Sequence, residues 1–127
     1  MTEEDRLSHI IIGAAIEVHK TLGGPGLLES VYEEALVWEL EQYKLKVDRQ
    51  KAVPIKYKVI QLAEPLRLDV LVEECVIVEC KAVVNYNAIF EAQALTYLRL
   101  MRLRLALVIN FGSKYVRDGI KRVINDV

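Results

Sequence analysis

The segment Leu66–Val83 constrains this chain most. Two short apolar runs, Leu66–Val72 and Val76–Val83, flank the charged pair Glu73-Glu74. Runs this short, rich in β-branched residues and split by a charged turn, read as two strands of a hairpin. Outside the turn they carry three charges that do not belong in a core: Asp69, Glu79 and Lys81. Side chains alternate between the faces of a strand, so Glu79 and Lys81 share a face and Cys80 takes the other. A turn centred on Glu74 pairs Asp69 with Glu79, Val70 with Val78, Leu71 with Ile77 and Val72 with Val76. One face is then all valine at those pairs, which favours this register on packing grounds. A two-residue turn at Glu73-Glu74 would instead set Asp69 opposite Val78 and separate the carboxylates.

The rest of the chain reads around this hairpin. Leu7, Ile10, Ile11, Ala14, Ala15 and Val18 recur at helical spacing, and Gly23-Gly24-Pro25-Gly26 ends that helix. A second helix is expected from about Leu27 to Tyr43. Its buried stripe would be Leu28, Val31, Tyr32, Ala35, Leu36 and Leu40, with Glu29, Glu33, Glu34, Glu39 and Glu41 decorating the rest. Lys46–Gln50 and Val53–Tyr57 alternate like strands. Ala88 to about Arg102 reads as a third helix. Leu105–Ile109 is continuously apolar and suits a strand buried on both faces. Val116–Ile124 reads as a final edge strand, with a short helix as the alternative. The order ααββββαββ predicts an α/β domain with one mixed sheet, and 127 residues suffice for a single domain over 1–127.

Charge is distributed unevenly. The net charge is −1, which excludes a polybasic nucleic-acid-coating protein and a highly acidic mimic. Residues 1–43 hold nine acids and two bases, whereas 44–127 hold fifteen bases and nine acids. An acidic helical layer beside a basic sheet accounts for this, and so does a C-terminal part that meets polyanions. Residues 99–127 carry seven bases, among them Arg99, Arg102, Arg104, Lys114, Arg117, Lys121 and Arg122, against two acids. If they line one edge near Lys81 they form a phosphate-binding rim; a solvated helix and strand is the alternative. Every apolar run is too short or too interrupted by charge to span a membrane, and the acidic start is unlike a signal peptide. Cys75 and Cys80 form no CxxC pattern and read as reduced, packed thiols. A cytoplasmic location is therefore expected.

Two facing carboxylates repel unless something compensates. A divalent cation would, and hard oxygen ligands select Mg²⁺ or Mn²⁺. With Lys81 beside it, such a site suits phosphodiester hydrolysis. An exposed face on which Lys81 neutralises Glu79 satisfies the same three residues. His9 and His19 lie ten residues apart on the first helix, about 15 Å along its axis, too far to share a metal. The glycine loop lacks the strand and the Lys-Ser/Thr of a nucleotide-phosphate loop.

Asp69 followed by Glu79-Cys80-Lys81 resembles the D…(D/E)xK signature of the PD-(D/E)XK nuclease superfamily, with Leu68 where a proline often stands. Gln93-Ala94-Leu95-Thr96-Tyr97 resembles the QxxxY motif of its RecB-like branch. Gly26-Leu27-Leu28-Glu29-Ser30-Val31-Tyr32 spells the motif of the GxxExxY protein family, assigned to that superfamily. Ala15–Lys20 and Asn110-Phe111-Gly112 also look like that family, so the resemblance spans roughly residues 5 to 124. It implies a restriction-endonuclease-like core and a Mg²⁺-dependent nuclease acting on DNA. It further implies Asp69, Glu79, the Cys80 carbonyl and Glu29 as metal ligands. Lys81 would orient the attacking water or stabilise the transition state. Gln93 would hydrogen-bond near Lys81 or the water, or else stand as a solvated helix residue. Tyr97 would contact substrate phosphate, or else pack as a core aromatic. Tyr32 would pack and orient Glu29, and His19 would cap or brace the glycine loop. The small size also fits a catalytically silent binding module, or a homodimer or larger complex.

Overall fold

The computed structural model describes residues 2–126. Helix α1 spans Glu3–Thr21 and α2 spans Glu29–Glu41. Strands β1 (Val47–Val53), β2 (Lys56–Tyr57), β3 (Ile60–Gln61), β4 (Leu66–Val72) and β5 (Val76–Lys81) follow. Then come α3 (Ile89–Met101), β6 (Leu105–Asn110), a 3-10 turn over Val116–Gly119 and β7 (Ile120–Ile124). Five strands form one mixed sheet in the order β1-β4-β5-β6-β7, and β2-β3 is a separate hairpin. Among the described residues only β5 and β6 run parallel; α3 makes the crossover between them.

The hairpin register is the expected one: Val70 pairs with Val78, Leu71 with Ile77 and Val72 with Val76. Those four valines and Cys80 pack beneath α1 and α2 with Leu7, Ile11, Leu36 and Leu40. Leu71 and Ile77 face the other way, toward Ala94 and Leu98 of α3. Strand β6 is buried along its whole length, as its unbroken apolar run requires. Cys80 is buried, Cys75 is half-buried, and both thiols are free.

Several boundaries differ from expectation. Lys46–Gln50 and Val53–Tyr57 are not two strands. One strand pairs with β4 from Val47↔Val72 to Val53↔Leu66 and stops at Pro54, which has no N–H to donate. Lys56–Tyr57 instead folds onto Ile60–Gln61 through a tight turn, with Lys58 at a φ of 55°. The tail is a 3-10 turn and then an edge strand, so each alternative describes half of it. On α2 the buried residues are Tyr32, Glu33, Leu36 and Leu40, while Leu28 and Val31 are exposed.

Strand β5 ends at Lys81 rather than Val83 because the backbone beyond it is captured by a side chain. Asn110 Oδ1 accepts from Val83 N–H at 3.0 Å, and Asn110 Nδ2 donates to the Val83 carbonyl at 3.0 Å. The same Oδ1 accepts from Gly112 N–H at 2.9 Å. Phe111 N–H donates to the Lys81 carbonyl at 2.7 Å. A Cβ on Gly112 would lie 2.3 Å from the Val83 carbonyl oxygen, so only glycine fits against this backbone. Asn110 thus fixes the exit of the strand that carries Glu79 and Lys81. Replacing Asn110 with Ala leaves three half-buried backbone groups short of a bond and should cost about 1–3 kcal/mol. Gly112→Ala should cost about 1–3 kcal/mol through overpacking. Urea titration checks both; midpoints equal to wild type would remove this role for the clamp.

Candidate active site

The β4–β5 ladder stops at Val70↔Val78, one pair short of Asp69 and Glu79. Beyond it the strands part. Strand β4 stays with β1, where Leu68 pairs with Lys51, while β5 stays with β6, where Glu79 pairs with Val108 and Lys81 with Asn110. Two N–H groups at the parting lose their cross-strand carbonyls, and the two carboxylates take them. Asp69 N–H donates to Glu79 Oε2 at 3.1 Å, and Cys80 N–H donates to Asp69 Oδ2 at 2.9 Å. Strand β4 also turns over here. Leu66 and Leu68 pack toward α3, yet Val70 and Val72 pack toward α1 and α2. The unbroken period of two fails at Asp69, beside Gln50 of β1 at a φ of 52°.

Helix α2 adds two acids. Glu29 is half-buried at its first turn, near enough for the charge of Asp69 to act on it. Glu33, one turn on, is 3% exposed. Sequence reasoning placed Glu33 on the solvated face and missed it. The signal was available: Glu29, Glu33, Leu36 and Leu40 follow the 4-3-4 spacing of one helix face. Arg49 Nε donates to Glu33 Oε2 at 2.7 Å, and Gln50 Nε2 donates to both Glu33 oxygens at 3.0 Å. Gln50 Nε2 also reaches Asp69 Oδ1 at 3.4 Å, joining helix acid to sheet acid. Neither Arg49 nor Gln50 was anticipated.

Lys81 is half-buried, with Nζ 4.6 Å from the centre of the Phe90 ring. It forms no ion pair among the described residues. A face on which Lys81 neutralises Glu79 is therefore not what forms. The carboxylates are left close to one another in a partly dry site. Burial first, and then the Asp69 charge, push the Glu79 pKa up to about 8. Burial also raises Asp69, against the opposing Cys80 N–H bond, and burial and the Asp69 charge raise Glu29.

The remaining expected residues fall differently. Tyr97 is half-buried on α3, and burial and then the charges of Glu79 and Asp69 raise its pKa, so it stands near the acids. Gln93, one turn earlier, is exposed and makes no side-chain hydrogen bond among the described residues. The Cys80 thiol lies in the α1–α2 core, raised far by burial, which leaves its backbone as the part that can meet a ligand. Tyr32 is buried and stacked on Phe111 at 4.8 Å. Its hydroxyl donates to the Gly24 carbonyl at 2.7 Å and accepts from Leu27 N–H at 3.1 Å. Tyr32 thus pins the glycine loop. His19 caps that loop through its backbone carbonyl, which accepts from Gly24 N–H at 2.8 Å, while its ring Nε2 donates to the Phe111 carbonyl at 3.2 Å, since a carbonyl can only accept. His9 is exposed and takes no part.

The basic C-terminal residues do not form one rim. Arg122 binds Ser8 Oγ at 2.7 Å and Asp5 Oδ1 at 3.2 Å, close to Arg104 and the N-terminal end of β6. Lys114 and Arg117 follow the C-terminal end of β6, the end that meets Lys81. The antiparallel course of β7 carries Arg122 back to the far end.

A family model of the PD-(D/E)XK nuclease superfamily matches residues 5–123. The chain belongs to the PD-(D/E)XK nuclease superfamily. No curated protein and no solved structure matches it significantly. The five-stranded mixed sheet flanked by helices is the restriction-endonuclease-like architecture that membership implies. Among the described residues no helix is long and apolar enough to cross a membrane.

Members of this superfamily generally use divalent metals. Among the described residues, no three His, Cys, Asp or Glu side chains are gathered as a preformed cage. The donor chemistry nonetheless fits a hard cation. Asp69 and Glu79 are oxygen donors that raise each other's cost of ionisation, and each has one oxygen turned to a backbone amide. A cation relieves that cost.

The raised pKa of Glu79 fixes a pH dependence. Its folded value, about 8, lies above the ordinary 4.5, so its contribution to stability is full below pH 4.5 and lost as pH rises through 8. Glu3, Asp5 and Glu74, whose hydrogen bonds lower their pKa values, act below that window. Metal-free protein should be less stable to urea at pH 8.5 than at pH 5.5. Glu79→Gln should flatten the slope; an equal slope in wild type and variant would overturn the assignment.

Proposed function

We propose that this chain is a Mg²⁺- or Mn²⁺-dependent nuclease that hydrolyses phosphodiester bonds in DNA. The observation that carries this reading is the meeting of Asp69 and Glu79 at the parting of β4 and β5, with Lys81 unpaired beside them. Asp69, Glu79, the Cys80 carbonyl and Glu29 would hold the cation, and Glu33 stands within the same group of acids. A divalent ion at such a site lowers the pKa of a water and polarises a phosphoryl oxygen.

The chain's own residues supply the rest. The Lys81 ammonium, fixed by the Asn110 clamp and resting on Phe90, would orient the attacking water or offset charge that develops on the phosphoryl oxygens. Gln50, held by Glu33, steadies Asp69. Tyr97 would meet a substrate phosphate from the α3 side, and exposed Gln93 would reach the water or Lys81 once substrate is bound.

The test is a cleavage screen with Mg²⁺ or Mn²⁺ across single-stranded, duplex and flapped DNA and RNA. Wild type should cut at least one DNA form. Lys81→Ala and Glu79→Ala should lose about 10²–10³-fold in rate while keeping the wild-type circular dichroism spectrum. Calorimetry should show heat of Mg²⁺ or Mn²⁺ binding in wild type and little in Asp69→Ala. Cleavage that persists in rigorously purified Lys81→Ala would remove that residue from the chemistry. Binding of DNA without cleavage under every condition would leave a catalytically silent member of the fold.

A further inference from the structure

A second feature lies on the α1 side of Phe111. The end of α1, its glycine loop and the segment Lys114–Asp118 line an open cavity of about 630 Å³. That volume is in the range of small-ligand sites. Lys20, Lys114 and Arg117 line it, opposed by Asp118 alone. None of the three bases is in an ion pair among the described residues, whereas Arg6, Lys46, Arg49 and Arg122 all are. Tyr115 stands at the same place, 62% exposed, with the Lys114 ammonium 5.4 Å from its ring centre.

The glycine loop does not supply an amide cradle. Gly23 N–H is taken by the Lys20 carbonyl and Gly24 N–H by the His19 carbonyl. An anion would therefore be met by side chains. Hydrogen bonds connect the cavity to the site already described. His19, which lines the cavity, holds the Phe111 carbonyl, and Phe111 N–H holds the Lys81 carbonyl, so the cavity is joined through Phe111 to the strand end that carries Lys81.

We propose that this cavity holds one nucleotide unit of the substrate strand outside the catalytic centre. Its phosphate sits among Lys20, Lys114 and Arg117, and its base lies against Tyr115. The chemistry is that of single-strand binding, in which cations track the phosphates and an aromatic face takes a base without regard to its identity. No recognition helix is needed, and the subsite favours unpaired DNA over duplex because a paired base cannot lie on Tyr115. This inference rests on the nuclease reading for the strand it names.

Anisotropy of a fluorescein-labelled single-stranded 15-nucleotide DNA, with full-length protein in EDTA, measures binding apart from cleavage. Lys114→Ala/Arg117→Ala should weaken binding about tenfold. It should also make the dependence of log K on log salt shallower by about 1.4, the counterion release of two lost contacts. Lys20→Ala, on a different element, should act in the same direction. Tyr115→Ala should weaken binding about fivefold or more with the salt slope unchanged. In metal-supported cleavage, the double variant should raise KM about tenfold with kcat within about twofold, as expected where binding is lost equally from ground and transition states. Equal affinity and slope in wild type and double variant overturn the subsite, and so does a wild type that binds no oligonucleotide. A wild type that cleaves, with KM unchanged in the double variant, overturns the subsite and keeps the nuclease. Affinity lost in the double variant, from a wild type that cleaves nothing, keeps the subsite and overturns the nuclease.

Discussion

The parting of β4 from β5 is the constraint on which the rest depends. An antiparallel pair that separates strands its own backbone N–H groups, and burying them unpaired costs about 1–3 kcal/mol each. Asp69 and Glu79 meet that cost reciprocally, each accepting the N–H that the other strand has lost. The same two bonds draw two carboxylates together in a place where burial already disfavours their charge. Structure and reactivity thus come from one arrangement. A pair of amides there would satisfy the backbone as well, but would carry no demand for a cation.

The surrounding elements hold the parted strands apart. On the β5 side, Asn110 grips Val83 and Phe111 grips the Lys81 carbonyl, which sets where the lysine leaves the sheet. Phe111 is in turn stacked on Tyr32, whose hydroxyl ties down the loop ahead of α2. That loop determines where α2 begins, and hence where Glu29 and Glu33 reach the sheet. On the β4 side, Gln50 in a left-handed conformation lets β1 follow the turn at Asp69, and its amide links Glu33 to Asp69. Residues far apart in sequence converge because each fixes the backbone that positions the next.

Much of this was legible in the sequence, for identifiable reasons. The hairpin register followed from the valine pairs, because a one-residue slip would have turned them to the opposite face. Strand β6 and the ends of α3 followed from an unbroken apolar run and from helical spacing. Glu33 was not legible from residue type alone, since a glutamate on an acidic helix looks solvated. Its burial depends on Arg49 and Gln50, which arrive from a strand sixteen residues later. The stop of β5 at Lys81 was hidden for the same reason: apolar Ala82 and Val83 suit a strand, and the clamp lies in β6. Leu28 and Val31 have helical spacing but no layer above them, so periodicity misplaced them. Local pattern gave the elements; the partners that override it are tertiary.

The charge asymmetry also acquires a physical reading. An acidic helical layer neutralised by a basic sheet would show many ion pairs between the halves of the chain. Those present among the described residues are Arg49 with Glu33 and Glu34, and Arg122 with Asp5. Glu29 of α2 is instead added to the carboxylates of the sheet, where burial and then the charge of Asp69 raise its pKa. Across Phe111, Lys20, Lys114 and Arg117 gather with a single opposing acid. Two regions of opposite sign, linked by the hydrogen bonds of His19 and Lys81 to Phe111, match a ligand that is itself an anion and must bring a cation with it at one point. A polyphosphodiester strand has that character, and a neutral or cationic ligand would meet the wrong sign in one region or the other.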